Sequence, residues 1–230
     1  MKSLFTSFKK EVSTAYIIRI DGNEISSSRA KRCADSCNDV HMAWKYWDAY
    51  NGTGTNIVPP MHHCSFMKMI KISNHYLTRA EIACALSHIS LWVKCVIDDE
   101  PIVILEHDAV MVKNYTWHYL PNSIGFLGCI EQLSLWRVGY DTPYLTFAPS
   151  LDANIRSIYK AHAYAVDPMI AKNLLTHVLQ FGIENPIDIM MRKDLFSIHQ
   201  MDLYAYNGDN DESTLSNRAL NQLYNYDLKL

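Results

Sequence analysis

The chain has 230 residues, of which 49% are apolar and 20% are charged, as in ordinary folded proteins with one large hydrophobic core. Its formal net charge is −3, so a charge-driven affinity for nucleic acid is not expected, although a local basic patch fits within that total. We therefore expect a single domain that spans residues 1–230.

The sequence also predicts where the protein resides. No apolar run is expected to be long enough to cross a bilayer. Near the amino terminus, Lys9, Lys10 and Glu11 interrupt the stretch where a signal peptide would be continuously apolar. Both features predict a cytoplasmic protein without a transmembrane segment.

The first part of the chain predicts a strand, a helix and a long loop. The apolar run AYIIRI at residues 15–20 is typical of a buried strand, and SSSRAKRCADSC at residues 26–37 has a composition that fits a helix. Residues 50–76 contain two glycines, two adjacent prolines and no steady period, which predicts a long loop. Long loops inside compact domains are often functional.

The clearest helix and strand of the chain follow directly. Thr78 and Glu81 form the sequence pattern of a capping box, and apolar residues then recur at helical spacing as far as residue 97. The sequence DDEP ends this pattern, and the apolar run IVILE at residues 102–106 begins at once. This pattern predicts a long helix followed by a buried strand.

A shorter strand and a second helix are predicted further along. Residues 124–130 form a short apolar run, and residues 167–182 have a helical pattern with Asp167 as the cap and Gly182 at the exit. Residues 207–213 are polar and loop-like, and a modest helical pattern follows them. Because strands alternate with helices, the sequence predicts an α/β fold whose central sheet is mostly parallel and flanked by helices on both faces.

Two carboxylates stand where the most apolar strand ends. Ligands in such sheets bind beyond the carboxyl ends of the strands, and Glu106 and Asp108 lie at that end. Carboxylate oxygens suit a hard cation such as Mg²⁺ or Mn²⁺, which can in turn hold a diphosphate. A solvated turn is the plainer interpretation of an acid-x-acid triplet, and the triplet alone leaves both interpretations open.

Six cysteines are scattered along the chain, mostly within apolar stretches. In a cytosolic protein of this length they are typical of buried small apolar residues or free thiols. A sharper hypothesis is a zinc site, but its candidate ligands lack the paired C-x2-C spacing of structural zinc sites. Those candidates are Cys33, Cys37, His62, His63 and Cys64.

Several segments resemble one known family. The stretch LTRAEIACALSHISLW, followed by IVILEHDAVM, resembles glycosyltransferase family 25, the lipopolysaccharide and collagen galactosyltransferase family. In that family a Leu-Thr-x-x-Glu-Ile-x-Cys-x-Leu-Ser-His segment precedes an apolar strand ending in Glu-Asp-Asp. Further segments are similar to family segments in the same order: YIIRID, WDAYNGTG, KAHAYAVDPMIAKNLL, NPIDIMM and DNDESTL.

The resemblance implies a GT-A-like catalytic domain, a nucleotide-sugar donor with a UDP-sugar favoured, and inversion at the anomeric carbon. It also implies a divalent cation, Mn²⁺ or Mg²⁺, with Asp108 as the first ligand and Glu106 supporting the metal or the donor. Such a cation stabilises a diphosphate leaving group as a Lewis acid. Asp188, in the Pro-x-Asp match of a loop between a helix and a strand, is the candidate base for the acceptor hydroxyl. An exposed loop aspartate is the alternative interpretation.

Other residues enter through the same resemblance. Glu81, Ser87 and His88 become candidates for donor binding, although capping alone explains Glu81 and a satisfied core histidine is the alternative for His88. Arg29 or Arg32 could contact the diphosphate, and a solvent-facing helix charge is the alternative interpretation of each. His107 stands where the family usually has aspartate, so we include it with the donor-binding residues, and it leaves metal dependence open.

The sequence does not identify the molecule that accepts the sugar. A lipopolysaccharide or other surface glycan is favoured, and a hydroxylysine-type side chain or a hydroxymethylated base of DNA is chemically possible. A DNA acceptor would require basic residues to converge, and the candidates are Lys2, Lys9, Lys10, Arg29, Lys31 and Arg32. Two other functions are alternatives. One is an inactive binding module, which His107 permits. The other is a glycoside hydrolase, which is disfavoured because an i, i+2 carboxylate pair is too close.

Overall fold

The computed structural model describes residues 14–115, 122–128, 146–147, 161–200 and 204–208. Within these residues the chain forms a seven-stranded sheet of order β2-β1-β3-β7-β5-β8-β6 and a two-stranded sheet of β4 and β9. The strands are β1 Ala15–Arg19, β2 Trp44–Asp48, β3 Ile102–Glu106, β4 Ala109–Met111, β5 Ile124–Phe126, β6 Thr146–Phe147, β7 Ala163–Val166, β8 Ile198–Gln200 and β9 Ala205–Asn207.

The large sheet is mixed, but most of its strands point the same way. β1 is parallel to β2 and to β3, and β5 is parallel to β8. β7 runs antiparallel to both β3 and β5, and β6 runs antiparallel to β8. Strands β2, β1, β3, β5 and β8 therefore share one direction, which confirms the predicted mostly parallel α/β architecture.

Helices cover both faces of this sheet. They are α1 Glu24–Asp39, α2 Arg79–Asp98, α3 Pro168–Phe181 and the short α4 Ile187–Met190, and a 3-10 helix spans Ser65–Met69. Because successive side chains of a strand point to opposite faces, each strand contributes to two cores. The core on the α2 and α3 face includes Tyr16, Ile18, Ile102, Ile104, Tyr164 and Val166. The core on the α1 face includes Ala15, Ile17, Val103, Leu105, Ala163 and Ala165.

The helix ends confirm the predicted caps. The Thr78 side chain accepts a hydrogen bond from the Glu81 backbone N–H, and the Glu81 side chain accepts one from the Thr78 N–H, which completes the capping box of α2. Asp167 accepts from the Ile170 N–H at the start of α3. Gly182 follows α3 with a φ of +80°, a left-handed conformation that favours glycine.

The structure also corrects the sequence prediction in places. β2 and β7 were not predicted, because WKYWD lacks an alternating apolar pattern and the strand residues AYAV run directly into the cap of α3. The predicted loop at 50–76 contains a 3-10 helix, and the predicted loop around Asp188 is the first turn of α4. Part of the predicted strand at 124–130 and the polar tail beyond residue 208 lie outside the described residues.

Helix α2 bears on the membrane prediction. Among the described residues it is the helix that is long and apolar enough to cross a bilayer by length and composition. This corrects the expectation that no apolar run has that length. However, 72% of its most apolar stretch is buried inside the fold, as in the core helix of a soluble protein. Its apolar character is thus explained by its position between the sheet and α3.

Candidate active site

The candidate site lies where β3 ends. β3 has β1 on one side and β7 on the other, and the Glu106 backbone N–H donates to the His162 carbonyl at 2.8 Å. Glu106 is the last residue of β3, and His107 and Asp108 follow in the turn beyond its carboxyl end, as predicted. The backbone of Gly208 donates to the Asp108 carbonyl at 2.8 Å, so the turn after β3 is fastened to the chain that follows β9.

Glu106 points to the α2 face of the sheet. Its Oε1 atom lies 3.2 Å from His88 Nε2 and 3.9 Å from the sulfur of Cys84, and both of these residues are on α2. Burial by itself would raise the pKa of Glu106. The hydrogen bond from His88 and the charges of nearby histidines outweigh burial, and the pKa is lowered. Glu106 is therefore held as a carboxylate.

Behind His88 lies a fully buried pair of aromatic residues. His88 Nδ1 is 2.8 Å from the Tyr164 hydroxyl, and the two rings stack with their centroids 5.6 Å apart. The indole N–H of Trp92 donates to the same hydroxyl at 3.0 Å. His88, Tyr164 and Trp92 each have a relative exposure of 0%, so these hydrogen bonds are formed without access to solvent.

His107 points to α1. Its Nδ1 atom lies 3.3 Å from the hydroxyl of Ser26, which in turn accepts a hydrogen bond from the Ile20 N–H at 2.9 Å. Ser26 is in the first turn of α1, which Asn23 caps. The histidine that replaces the usual aspartate of the family thus connects the turn after β3 to the loop between β1 and α1.

Asp108 contacts β9, but its carboxylate is only partly satisfied by the described residues. Oδ2 accepts a hydrogen bond from the Asn207 amide at 3.0 Å. Oδ1 is buried and has no hydrogen-bond partner among the described residues. Burial raises the pKa of Asp108, and the negative charge of Glu106 raises it further. A buried, unsatisfied carboxylate oxygen is costly unless a cation or another donor binds it.

Asp188 approaches the same region from α4. Burial raises the pKa of the Cys84 thiol well above its usual value, and the negative charges of Glu106, Asp188 and Asp108 raise it further. All three predicted carboxylates therefore act on one thiol of α2. Glu106 and Asp108 come from the end of β3 and Asp188 comes from α4. The fold therefore brings carboxylates that are distant in sequence within electrostatic range of the same side chain.

The remaining predicted residues have clear local roles. Glu81 is buried, and its Oε2 atom accepts from both the backbone N–H and the hydroxyl of Thr78, at 2.8 and 2.9 Å. The Ser87 hydroxyl accepts from the Tyr50 N–H at 2.9 Å and donates to the Ala83 carbonyl at 2.7 Å, so it ties the loop after β2 to α2. Arg29 is a half-buried residue of α1. Donor binding by these three residues stays a prediction.

The zinc hypothesis is wrong for a spatial reason. Cys33 and Cys37 are buried in the core on the α1 face. Cys64 packs against the core on the opposite face, where the His62 ring contacts Trp47 with the two ring planes tilted by 40°. The sheet thus separates the two cysteines of α1 from the other proposed ligands.

Three site residues were missed by sequence reasoning. Cys84 and Tyr164 were quoted only as parts of family-like segments, and His162 was not singled out. The His162 side chain is buried, and its charge lowers the pKa of both Glu106 and Asp108. A Cβ atom at Gly128 would collide with the His162 ring, which explains the glycine there. Polar side chains within the apolar stretch HAYAV are the signal that could have revealed His162 and Tyr164.

Two arrangements in the site are suited to a divalent cation. Cys84, His88 and Glu106 each offer one ligand atom, and these atoms all lie within 4.8 Å of one another. The buried Oδ1 atom of Asp108 is an oxygen donor that lacks a partner among the described residues. The chemistry of the carboxylates fits a hard cation, whereas the raised pKa of Cys84 keeps that thiol protonated.

A mostly parallel central sheet flanked by helices on both faces is consistent with a GT-A-like fold. The sequence profile of glycosyltransferase family 25 (LPS biosynthesis protein) matches residues 13–191, which is most of the chain. The chain therefore belongs to glycosyltransferase family 25, and it is a glycosyltransferase, as the resemblance implied. No curated protein matches the chain at a significant level.

Proposed function

We propose that this glycosyltransferase transfers a sugar from a nucleotide-sugar donor, with a UDP-sugar favoured, to a hydroxyl group of a lipopolysaccharide or other surface glycan. The observation that carries the proposal is the end of β3, where His88 holds the Glu106 carboxylate and the buried Oδ1 atom of Asp108 has no hydrogen-bond partner among the described residues. Glu106 and Asp108 lie two residues apart, and each one's negative charge disfavours ionisation of the other, which a bound cation relieves.

Asp108 and Glu106 are the residues that would hold the divalent cation, Mn²⁺ or Mg²⁺. The fit rests on the buried Oδ1 atom of Asp108, which lacks a hydrogen-bond partner among the described residues, and on the lowered pKa of Glu106. The cation, when bound, supplies a Lewis acid for the diphosphate leaving group. The two side chains orient the donor at the end of β3, and His107 holds this turn against α1.

Asp188 would act as the general base. In an inverting transfer the acceptor oxygen attacks the anomeric carbon from the side opposite to the leaving group, and a carboxylate removes its proton as the new bond forms. Asp188 is in the first turn of α4, on a different element from Glu106 and Asp108. Separate elements allow the base and the donor-binding carboxylates to flank the reacting centre from two sides.

The acceptor is proposed from the family description, which names lipopolysaccharide biosynthesis. Reaction at a cytoplasmic nucleotide-sugar pool fits this acceptor class. A DNA acceptor has less support, because Lys31 forms an ion pair with Asp35 at 2.7 Å on α1. Of the other basic candidates, Lys2, Lys9 and Lys10 lie outside the described residues. A gel shift with plain duplex DNA at several salt concentrations separates the two acceptor classes.

A donor panel tests the proposal directly. UDP-, GDP- and CMP-sugars are incubated with the enzyme and Mn²⁺, and mass spectrometry detects transfer or release of the nucleoside phosphate. We expect turnover with a UDP-sugar that EDTA abolishes and Mn²⁺ restores. Proton NMR of the product then reports the anomeric configuration. No turnover with any donor would favour a binding module, and turnover unaffected by EDTA would remove the cation from the proposal.

A further inference from the structure

The hydrogen bonds behind Glu106 form a chain with a defined direction. The indole N–H of Trp92 is a donor only, so the Tyr164 hydroxyl oxygen accepts from it at 3.0 Å. At the other end, an ionised Glu106 carboxylate is an acceptor only, so His88 Nε2 must carry the hydrogen that spans the 3.2 Å to Oε1. The directions at both ends follow from chemistry alone.

These two ends determine the hydrogen bond in the middle. Tyr164 is fully buried, and within the part of the chain that the structure describes its O–H has His88 Nδ1 as the acceptor, at 2.8 Å. If Nδ1 carried a hydrogen as well, the buried hydroxyl would face a donor and its own proton would lack an acceptor. Burying such an unsatisfied group is unfavourable, so Nδ1 accepts and Nε2 donates.

We infer that Tyr164 holds His88 in the Nε2–H tautomer, and that His88 in this form positions the Glu106 carboxylate. The role of Glu106 itself rests on the proposed function. Each donor in the chain points toward Oε1, and successive hydrogen bonds of this kind polarise one another. Tyr164 and Trp92 thus orient the Glu106 carboxylate through His88, although both aromatic side chains are fully buried.

His88 and Glu106 belong to one cluster of possible metal ligands, but they have different roles. A metal bound through His88 would need the Nε2 lone pair, but that nitrogen carries the hydrogen donated to Glu106. His88 is therefore a positioning residue, and Glu106 and Asp108 are the groups that would hold the cation. In protein metal sites a ligand is commonly oriented by a second residue that hydrogen-bonds to it. Glu106 would be such a ligand, and His88 would be the residue that orients it.

Nitrogen NMR tests the tautomer without substrate or metal. The protein is labelled with ¹⁵N-histidine at neutral pH, and the His88 ring signals are assigned from their loss in His88→Gln. We expect Nδ1 to have the shift of an unprotonated ring nitrogen and Nε2 that of a protonated one. The opposite tautomer in the wild-type protein would overturn the inference. In Tyr164→Phe we expect a mixture of tautomers, and an unchanged spectrum would also contradict it.

Kinetics test the positioning role. Tyr164→Phe should lower kcat about 10- to 100-fold, the usual effect of removing such a supporting partner. His88→Gln, which keeps a donor at the Nε2 position, should retain more activity than His88→Leu. Tyr115→Phe is the matched control, because Tyr115 is a buried tyrosine in the core on the other face of the sheet, and it should change kcat little.

The outcomes also distinguish this inference from the proposed function. Circular dichroism and thermal melting show which variants are folded, and the wild-type spectrum decides the tautomer even if a variant does not fold. Full activity in folded His88→Leu would overturn the positioning role. If instead the tautomer is as inferred but Glu106→Gln keeps full activity, the proposed role of Glu106 fails and the tautomer assignment stands.

Discussion

The two carboxylates at the end of β3 lie two residues apart, but they occupy different environments. Glu106 faces α2, where His88 donates to it and its pKa is lowered. Asp108 contacts β9, where Asn207 donates to one of its oxygens. Its other oxygen is buried without a partner among the described residues, and its pKa is raised. One turn of chain thus presents a satisfied carboxylate and an unsatisfied one.

The difference fits a division of tasks within the proposed site. A carboxylate that accepts hydrogen bonds from the protein itself, such as Glu106, keeps its orientation whether or not a ligand is bound. A buried carboxylate with a missing partner is the one that gains most from a cation, because the cation offsets the cost of its burial. Pairs of titratable groups with opposite pKa shifts are typical of active sites. Four predictions test this contrast.

The largest effect is expected for Asp108→Asn. Transfer should fall by about 1000-fold or more, because the loss of the cation ligand removes several kcal/mol of transition-state stabilisation. The melting temperature should stay the same or rise, since a neutral amide is easier to bury than a carboxylate. Initial rates and thermal melts measure the two effects. The exposed Asp35→Asn on α1 is the control and should keep full activity, whereas retained activity in Asp108→Asn would remove the metal assignment.

A smaller loss is expected for Asp188→Asn. A general base contributes about 100-fold or more, and it acts in the transition state, so kcat should fall while donor affinity is kept. Steady-state kinetics and isothermal titration with the donor nucleotide measure these quantities. Asp194→Asn is the nearby control, because Asp194 pairs with Arg192. If donor affinity collapses in Asp188→Asn, this residue belongs to the donor pocket.

Glu106→Ala should affect stability as well as activity. It leaves the buried Nε2–H of His88 without its carboxylate acceptor, so the free energy of unfolding should fall by about 1–3 kcal/mol. Urea denaturation followed by circular dichroism gives this value. The same measurement on Asp108→Asn should show no loss. Equal destabilisation of both variants would contradict the contrast between the two environments.

The smallest effect is expected for Asn207→Ala. This variant removes the hydrogen bond to Oδ2 of Asp108, which is worth about 1 kcal/mol, so kcat/KM should fall about 5-fold. The loss should appear mainly as weaker activation by Mn²⁺, measured by titrating the metal at fixed donor concentration. A variant with the wild-type activation curve would show that Asn207 does not support Asp108.

Much of the fold was predictable because its signals are local. The capping box of Thr78 and Glu81, the Asp167 cap and the apolar run of β3 are each encoded within a few neighbouring residues. The strand β2 was missed because WKYWD gains its strand conformation from pairing with β1, which no short window of sequence contains.

The sequence indicated which residues belong to the candidate site, but it did not predict the hydrogen bonds that surround each of them. The order of motifs identified the family, and with it Glu106, Asp108 and Asp188. The surroundings of each carboxylate depend on contacts across long sequence separations: Tyr164 is 76 residues from His88, and Asn207 is 99 residues from Asp108. No spacing rule links such pairs, so their hydrogen bonds could not be inferred.

By itself, then, the amino-acid sequence determined the kinds of elements, the family and the chemistry of the triplet, because these follow from neighbouring residues and motif order. Only the tertiary structure decided that Glu106 is satisfied from α2 while Asp108 keeps a buried oxygen without a partner among the described residues. The physical reason is that burial, hydrogen-bond direction and pKa are set by groups that meet only when the sheet and helices pack together.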